Sequence, residues 1–251
     1  MSDLAVSSSR WSAIPGLIHG ITTRSALPLP GKADFFDSIA RARAAGALPD
    51  LLALGADQVH SDRLVLVDEP IGDNNRLDGF RWDDRLRAGE FPQADALVTT
   101  IPGVLLIIQT ADCLPVFAID PASRVAGLAH CGWRGLRAGL AGKLVAHMIA
   151  AGASADNIQA WLGPCIHAGN YEVSRELVED FRAAFPGAPV AADERHLDLP
   201  AVARHQLERA GVQTQAIADS GQCTFANPGL YHSYRAHAAQ AGRMLSFLGF
   251  K

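Results

Sequence analysis

Cysteine is scarce in this chain: four cysteines occur among 251 residues, and no two of them form a CxxC pair. A disulfide scaffold is therefore excluded, because proteins built on disulfides carry cysteine at much higher density. The segment from Met1 to Ile14 has no basic stretch followed by an apolar core, so we expect no secretory signal. These absences predict a reduced, cytoplasmic chain whose cysteines are free to act as ligands or nucleophiles.

Long apolar runs and an excess of positive charge are also missing. The most apolar run, from Gly103 to Ile108, is far shorter than the roughly 20 residues of a membrane span. The formal net charge is −4, which gives no reason to expect a nucleic-acid or membrane partner. Walker and GxGxxG loops are absent, which disfavours nucleoside triphosphate and dinucleotide sites. A small neutral or anionic metabolite is compatible with this composition.

The residues that are present are typical of a globular protein, with 49% hydrophobic and 19% charged side chains. No repeat or long linker divides the chain, so we predict a single domain over residues 1–251. Short β-like runs are found at Leu64 to Asp68, Ala96 to Thr99, Val104 to Gln109, Pro115 to Asp120 and Arg124 to His130. Helices are predicted at Phe35 to Ala45, Arg134 to Ala151, Ser174 to Phe185, Leu199 to Ala210 and Tyr234 to Leu245.

This order of elements predicts an α+β (α/β-like) sandwich of mixed β-sheets flanked by helices. Residues 119–123 are predicted to form a turn between two strands, and Ser174 is predicted to cap a helix. Clusters of proline and glycine at Pro28 to Gly31 and Pro186 to Pro189 are interpreted as loops.

Two of the predicted strands end in polar, reactive residues. The run 104–108 is followed by Gln109-Thr110-Ala111-Asp112-Cys113, and the run 125–129 by His130-Cys131-Gly132-Trp133-Arg134-Gly135. Enzymes with sheets usually build their sites where a buried strand ends. We therefore expect a site at these two strand ends.

His60, Cys113 and His130 are the candidate ligands of a metal ion at that site. Zinc favours thiolate and imidazole ligands, and a catalytic zinc site needs three protein ligands and one open position. The spacing of these residues is not a local finger pattern, so two other interpretations stay open. Cys113 can be a nucleophile with His130 as its base and Asp112 or another carboxylate orienting that base. Each residue can also be a buried, hydrogen-bonded side chain.

Several segments, in this order along the chain, carry a resemblance to a known family. They are Gln58-Val59-His60, Ala94-Asp95-Ala96-Leu97-Val98-Thr99, Thr110-Ala111-Asp112-Cys113-Leu114-Pro115-Val116, His130-Cys131-Gly132-Trp133-Arg134-Gly135, Gly163-Pro164-Cys165-Ile166 with Asn170-Tyr171-Glu172-Val173, and Cys223-Thr224-Phe225 with Ser233-Tyr234-Arg235. They resemble the signature blocks of the laccase-domain (YfiH-like) family and extend over most of the chain.

The resemblance implies a sandwich of the CNF/YfiH type and a zinc-dependent purine nucleoside phosphorylase. Such an enzyme acts on adenosine- or inosine-type nucleosides with phosphate, and the family also has adenosine deaminase and methylthioadenosine phosphorylase activity. The resemblance further implies that His60, Cys113 and His130 are metal ligands, with zinc expected and copper as the alternative. Three other functions are weighed against this one: a copper-dependent polyphenol oxidase, a cysteine hydrolase using Cys113 and His130, and a non-catalytic metal-binding module.

Further site residues follow from the same blocks. Arg24, in a Thr-Arg element similar to one in the family, is a candidate phosphate or substrate contact. Arg134 is a candidate phosphate ligand or ion-pair partner, and Trp133 is a candidate to stack on a purine or to pack in the core. Asp112 is a candidate partner of a metal-bound histidine or a strand-end cap. Arg235 is interpreted as tying down the C-terminal helix.

The sequence also departs from the family pattern. The glycine-rich segment and the Ser-Leu-Asn-Leu element expected between Ser25 and Asp50 are not recognisable. Cys131 occupies a position where alanine is common, and His167 one where glycine is common. These differences bear on nucleoside specificity and on activity, and they leave the proposed ligand triad unchanged.

Overall fold

The computed structural model describes residues 4–27, 34–67, 76–77, 80–81 and 92–251. The strands in this part are β1 Ala5–Val6, β2 Leu17–Thr22, β3 Leu52–Leu54, β4 Leu64–Val67, β5 Arg76–Leu77, β6 Phe80–Arg81, β7 Ala96–Thr99, β8 Val104–Thr110, β9 Leu114–Asp120, β10 Val125–Cys131, β11 Gln159–Leu162, β12 Ile217–Asp219 and β13 Met244–Phe250. The α-helices are α1 Phe35–Ala44, α2 Trp133–Arg137, α3 Leu140–Ala150, α4 Arg175–Ala184, α5 Leu199–Arg209 and α6 Tyr234–His237. The loop expected at Pro28 to Gly31 lies outside the described residues, as does Asp68.

Two mixed sheets form the centre of the fold. One has five strands in the order β1-β2-β13-β8-β3, and the other has six in the order β12-β11-β9-β10-β7-β4. Only the outer pairs β3–β8, β4–β7 and β11–β12 are parallel, and the remaining pairs of both sheets are antiparallel. A separate pair, β5 and β6, is antiparallel.

The core shows how the layers stack. Leu105 and Ile107 of β8 pack with α1, whereas Leu106 and Ile108 pack towards the second sheet. Because successive side chains of a strand point to opposite faces, a strand covered on both sides is apolar throughout. The six-stranded sheet is covered on its other face by α3 and α5. The predicted sandwich of mixed sheets flanked by helices is therefore confirmed.

The central strands agree with the sequence prediction to within one or two residues. Asp120 accepts hydrogen bonds from the backbone N–H groups of Ala122 and Ser123, which confirms the predicted turn between β9 and β10. Ser174 accepts a hydrogen bond from the N–H of Leu177 and so caps α4 as predicted. Among the described helices, none has the length and apolarity needed to cross a membrane.

The helix predicted from Arg134 to Ala151 is in fact two helices. Helix α2 ends at Arg137 and α3 begins at Leu140, because Gly139 lies between them with a φ of 85°. That left-handed conformation costs glycine little, and it interrupts a helix. The break separates α3 from α2, the short helix that begins three residues after the candidate ligand His130.

The helix predicted from Tyr234 to Leu245 is wrong beyond its first turn. Helix α6 ends at His237, and Ala238 has a φ of 48°, which no continuing helix can accommodate. Residues 244–250 instead form β13, which pairs with β2 and β8 in the middle of the five-stranded sheet. All seven residues of β13 are buried, so packing on both faces outweighs local helix propensity.

Candidate metal centre

The three candidate ligands are brought together by the register of the central hairpin. Strands β9 and β10 pair so that Cys131 lies opposite Leu114 and His130 opposite Pro115. Cys113 directly precedes Leu114, so it reaches the same end of the sheet as His130. His60 approaches from the loop before β4. One ligand atom from each of these three side chains lies within 4.8 Å of the other two.

The cluster is closed on one side and open on the other. His130 is buried, Cys113 is partly buried and His60 is exposed. Three ligands with one accessible side match a catalytic zinc site, where water or substrate takes the remaining position. Among the described residues this is the one group of histidine, cysteine and acidic side chains that could hold a metal ion.

Asp95 fixes two of the three ligands. Its Oδ1 is 2.8 Å from Nδ1 of His130 and 3.1 Å from the backbone nitrogen of His60. Its Oδ2 accepts hydrogen bonds from the backbone N–H of Ser61 at 2.5 Å and from the Ser61 hydroxyl at 2.8 Å. A carboxylate bound to Nδ1 leaves Nε2 of His130 as the nitrogen that faces the metal position.

Two residues at this site have backbone conformations that are uncommon outside glycine. His60 has a φ of 59° and Asp112 a φ of 86°. Such residues usually persist because several neighbouring contacts hold them, and they concentrate at functional sites. Asp95 binds the N–H of His60, and the carbonyl of Asp112 accepts a hydrogen bond from Ile166 at 2.9 Å.

Gly132 provides the space that the cluster needs. A Cβ atom added at this glycine would lie 3.1 Å from Sγ of Cys113 and 3.2 Å from Cδ2 of His60. The φ of Gly132 is −74°, so its backbone conformation alone does not require glycine. The missing side chain therefore leaves room for the two ligands, and the thiolate and imidazole donors around that space fit a zinc ion.

The ionisation of the ligands is strongly coupled. Burial by itself would raise the pKa of the Cys113 thiol, but the charge of His130 and hydrogen bonds from both histidines lower it to about 6. Burial disfavours the charged form of His130, whereas the Cys113 thiolate and Asp95 raise its pKa to about 9. Without a metal ion the two groups thus favour a thiolate–imidazolium pair. By contrast, burial raises the pKa of Cys131 and Cys165, which favours their neutral thiol form.

Asp112 has other partners than the one considered from the sequence. Its carboxylate accepts hydrogen bonds from the hydroxyl of Thr224 at 2.6 Å and from the hydroxyl of Ser233 at 3.0 Å. It also accepts one from the backbone N–H of Arg235 at 2.6 Å. The carboxylate that binds a ligand histidine is therefore Asp95, and Asp112 links the Cys113 loop to the start of α6.

The cluster of His60, Cys113 and His130 lies in the wall of a cavity of about 760 Å³. Besides the three ligands, its lining includes Gln109, Asp112, Trp133, Tyr171, Tyr234, Arg235 and Arg243. Aromatic rings and guanidinium groups thus share one cavity with the cluster, a combination suited to a flat, polar ligand.

The substrate-binding candidates named from the sequence fall in different places. Trp133 lines the cavity, and the Arg134 guanidinium lies 4.3 Å from the centre of the Trp133 ring. Arg134 and Arg24 are both exposed and are not part of the cavity lining. The Arg24 guanidinium donates a hydrogen bond to the carbonyl of Pro228 at 2.8 Å. His167 is half-buried and also lies outside the lining.

Sequence reasoning gave no role to Asp95, Tyr171 or Arg243, and it gave Arg235 only a structural one. A signal for Asp95 did exist, since an aspartate directly before an apolar strand stands in one of the blocks quoted above. Nothing comparable marked Arg243, because its place beside the cavity depends on β13 being a strand.

The chain is similar to several known proteins. Residues 37–251 match a family model described as multi-copper polyphenol oxidoreductase laccase. A purine nucleoside phosphorylase of Deinococcus radiodurans is 41% identical over 165 residues, which are 65% of this chain and 64% of that relative's length. A protein named adenosine deaminase RL5, from an unknown prokaryotic organism, is 33% identical over 74% of this chain and 70% of its own. The crystal structure of YfiH from Bacillus licheniformis superimposes with a TM-score of 0.82 at 28% identity, covering 99% of this chain and 97% of that one.

Proposed function

The chain belongs to the multi-copper polyphenol oxidoreductase laccase family, and from that premise we propose that it is a zinc-dependent purine nucleoside phosphorylase. The proposed substrates are adenosine- and inosine-type nucleosides together with phosphate. Deamination of adenosine and phosphorolysis of methylthioadenosine are proposed as further reactions of the same cavity. The observation that carries the proposal is an open His₂Cys cluster in a cavity that also presents aromatic rings and arginines.

The reaction places definite demands on the cavity. A phosphate oxygen forms a bond to the anomeric carbon of the ribose while the bond from that carbon to the purine nitrogen breaks. The electron pair leaves with the purine, which must be protonated, and the transition state resembles an oxocarbenium ion. The site must therefore hold a flat base, a sugar and an anion beside one another.

The aromatic part of the wall suits the base. Trp133 and Tyr171 line the cavity, and burial raises the pKa of Tyr171 to about 12, so its hydroxyl stays neutral. Nε2 of Gln109 is buried and has no hydrogen-bond partner among the described residues. Because an unpaired buried amide is costly, this donor is suited to a polar edge of a bound nucleoside. Gln58 holds the Gln109 backbone through two hydrogen bonds of 2.7 and 2.8 Å.

His60, Cys113 and His130 are the residues proposed to hold the metal. When bound, zinc supplies Lewis-acid chemistry that activates water, which is what deamination of a purine ring requires. Asp95 keeps the His130 ring in one orientation throughout, and Asp112 keeps Cys113 next to the arginine-bearing side of the cavity.

The direct test is metal analysis of protein purified without added metal, followed by incubation with nucleoside and phosphate. We expect zinc at one equivalent per chain and formation of free purine and ribose 1-phosphate, detected by chromatography. Product formation from adenosine and inosine should depend on added phosphate. Zinc-loaded protein that releases no purine from either nucleoside would exclude the phosphorylase.

A cysteine hydrolase is the second candidate, because a specific arrangement favours it. Cys113, His130 and Asp95 follow one another as nucleophile, base and orienting carboxylate. The two functions make opposite predictions for the alkylation rate of Cys113, since a metal-bound thiolate is shielded and a free thiolate reacts quickly. We expect iodoacetamide to modify Cys113 slowly in zinc-loaded protein and quickly after chelation.

Peptide mapping must identify the modified residue, because the other cysteines contribute to any bulk thiol count. Rapid modification of Cys113 with zinc fully bound would favour the hydrolase. A copper oxidase is disfavoured by the donor set, because multicopper oxidation needs several coppers and the described residues offer one His₂Cys group, typical of a single electron-transfer centre.

A further inference from the structure

We propose that Arg235 and Arg243 form the phosphate subsite of the cavity. This inference rests on the proposed phosphorolysis, which requires an inorganic phosphate beside the nucleoside. It replaces Arg24 and Arg134 as the expected anion ligands, since both of these arginines lie outside the cavity lining.

Both arginines lie on the side of the cavity formed by residues 234–243. Arg235 is the second residue of α6, and Arg243 directly precedes β13. Both line the same cavity as the metal cluster. An anion bound here would therefore share one cavity with a substrate that contacts the cluster.

Neither guanidinium has a carboxylate partner among the described residues, yet each is held in place. Arg235 donates from Nη2 to the carbonyl of Glu172 at 2.9 Å and lies 5.3 Å from the centre of the Tyr171 ring. Arg243 donates from Nη1 to the carbonyls of Ala241 and Gly242 at 2.8 and 3.0 Å.

These contacts use only part of the hydrogen-bonding capacity. A guanidinium has five N–H donors in a fixed planar fork, which matches the oxygens of a phosphate. Neutral carbonyls and aromatic rings orient the two groups without neutralising them. The positive charge and most of the donors therefore remain for an anionic ligand.

The acidic residues of the lining do not cancel this charge directly. Asp112 is occupied by Thr224, Ser233 and the backbone of Arg235. Asp34 accepts hydrogen bonds from the first N–H groups of α1, and the exposed Asp57 forms no ion pair with another described residue.

Asp112 also sets where the bound phosphate would lie. Its carboxylate binds the backbone N–H of Arg235, and it is the chain neighbour of Cys113. Arg235, proposed to hold the anion, and Cys113, proposed to hold the metal, are thus both positioned by Asp112, one through a hydrogen bond and the other through the chain. With phosphate on the arginine side, one of its oxygens can be directed at a ribose held between the two.

The experiment measures inorganic phosphate directly and in turnover. Zinc-loaded wild-type protein and the variants Arg235→Gln and Arg243→Gln are titrated with phosphate by calorimetry, and the KM for phosphate is measured with inosine. Each variant should weaken phosphate binding by about 10- to 100-fold, the effect of losing a charge-assisted contact, and change the KM for inosine far less. Arg209→Gln, an exposed arginine on α5, is the matched control and should bind phosphate like the wild type.

Arg235→Lys and Arg243→Lys test for a merely structural role. Lysine keeps the charge but lacks the fork, so an intermediate phosphate affinity supports the subsite, and melting curves report whether the fold is intact. Unchanged phosphate affinity in both glutamine variants would overturn the proposal, as would an equal loss in the folded Arg24→Gln or Arg134→Gln protein. If Arg235→Gln and Arg243→Gln do not fold, full phosphate affinity in both lysine variants would overturn the proposal.

The subsite and the phosphorylase can fail separately. Phosphate binding that depends on Arg235 and Arg243, without release of purine from any nucleoside, would uphold the subsite and remove the phosphorylase. Phosphorolysis with a wild-type KM for phosphate in both glutamine variants would uphold the phosphorylase and remove the subsite.

Discussion

Asp95 and Asp112 are both buried aspartates next to strands of the cavity wall, yet they organise different parts of the chain. Asp95 accepts its hydrogen bonds from His130, the His60 backbone and Ser61, all at the cluster of candidate metal ligands. Asp112 accepts its own from Thr224, Ser233 and Arg235, all in the region after β12.

The difference assigns one carboxylate to each half of the cavity. The half that contains Asp95 is formed by the β9–β10 hairpin and the loop before β4, and it carries the candidate metal ligands. The half that contains Asp112 is formed by a loop and α6 and carries the arginines. Replacing one or the other of these two buried aspartates is thus expected to have different effects.

The largest effect is expected from removing a ligand itself. Cys113→Ala and His130→Ala should abolish stoichiometric zinc binding, because two protein ligands do not retain a catalytic zinc ion at ordinary concentrations. His147→Ala is the control, since His147 lies on α3 outside the cluster. Zinc content is measured by mass spectrometry after dialysis, and full occupancy in Cys113→Ala would refute the assigned site.

Asp95→Asn should have the next largest effect on the metal. Losing a carboxylate that orients a ligand histidine typically lowers metal affinity by about 10- to 100-fold. Asp112→Asn should leave zinc affinity close to the wild-type value, because its carboxylate binds no ligand histidine. Competition against a chelator of known affinity compares the two variants. Equal losses in both would erase the distinction between the two halves.

Gly132→Ala tests whether the candidate metal ligands need the space beside this glycine. The added methyl group would press on Cys113 and His60 without straining the backbone, at a cost of roughly 1 kcal/mol, which is about five-fold in zinc affinity. Unfolding of the metal-free protein should change less than zinc affinity does. An unaltered affinity would mean that the ligands do not need this space.

The smallest effect is expected from single hydroxyl groups. Thr224→Val removes one donor to Asp112 and should lower the free energy of unfolding by about 1 to 2 kcal/mol, without changing zinc affinity. Ser61→Ala removes one donor to Asp95, whose other contacts remain, and should weaken zinc binding slightly. Both variants are measured by denaturant unfolding and by chelator competition. Weaker zinc binding in Thr224→Val together with unchanged zinc binding in Ser61→Ala would contradict the roles given to Asp112 and Asp95.

The sequence predicted the half of the cavity around Asp95 better than the half around Asp112, Arg235 and Arg243, and the reason is physical. Strands 96–99, 104–110, 114–120 and 125–131 are short, apolar and joined by tight turns, so local patterns determine them. The ligands stand at the ends of these strands or in a recognisable block. Asp95 escaped notice because no periodicity reveals which donors a buried carboxylate will meet.

The arginine half depends on contacts between distant segments. The run 244–250 forms a strand only because β2 and β8 lie on either side of it, which local propensity cannot indicate. Arg243 reaches the cavity as a result of that pairing. The position of Arg235 likewise depends on its hydrogen bond to Asp112, a residue 123 positions earlier in the chain.

The placement of β13 also constrains the order in which the molecule can be assembled. The N–H of Leu245 binds the hydroxyl of Thr22 across a sequence separation of 223 residues, and β13 occupies the middle of its sheet. During synthesis, β2 and β8 must therefore each wait for one strand neighbour until this late segment has emerged, whereas the β9–β10 hairpin can close as it appears. We expect zinc to find its ligands in a chain whose arginine side is still unformed, so that the nascent protein captures its metal before it can hold an anion.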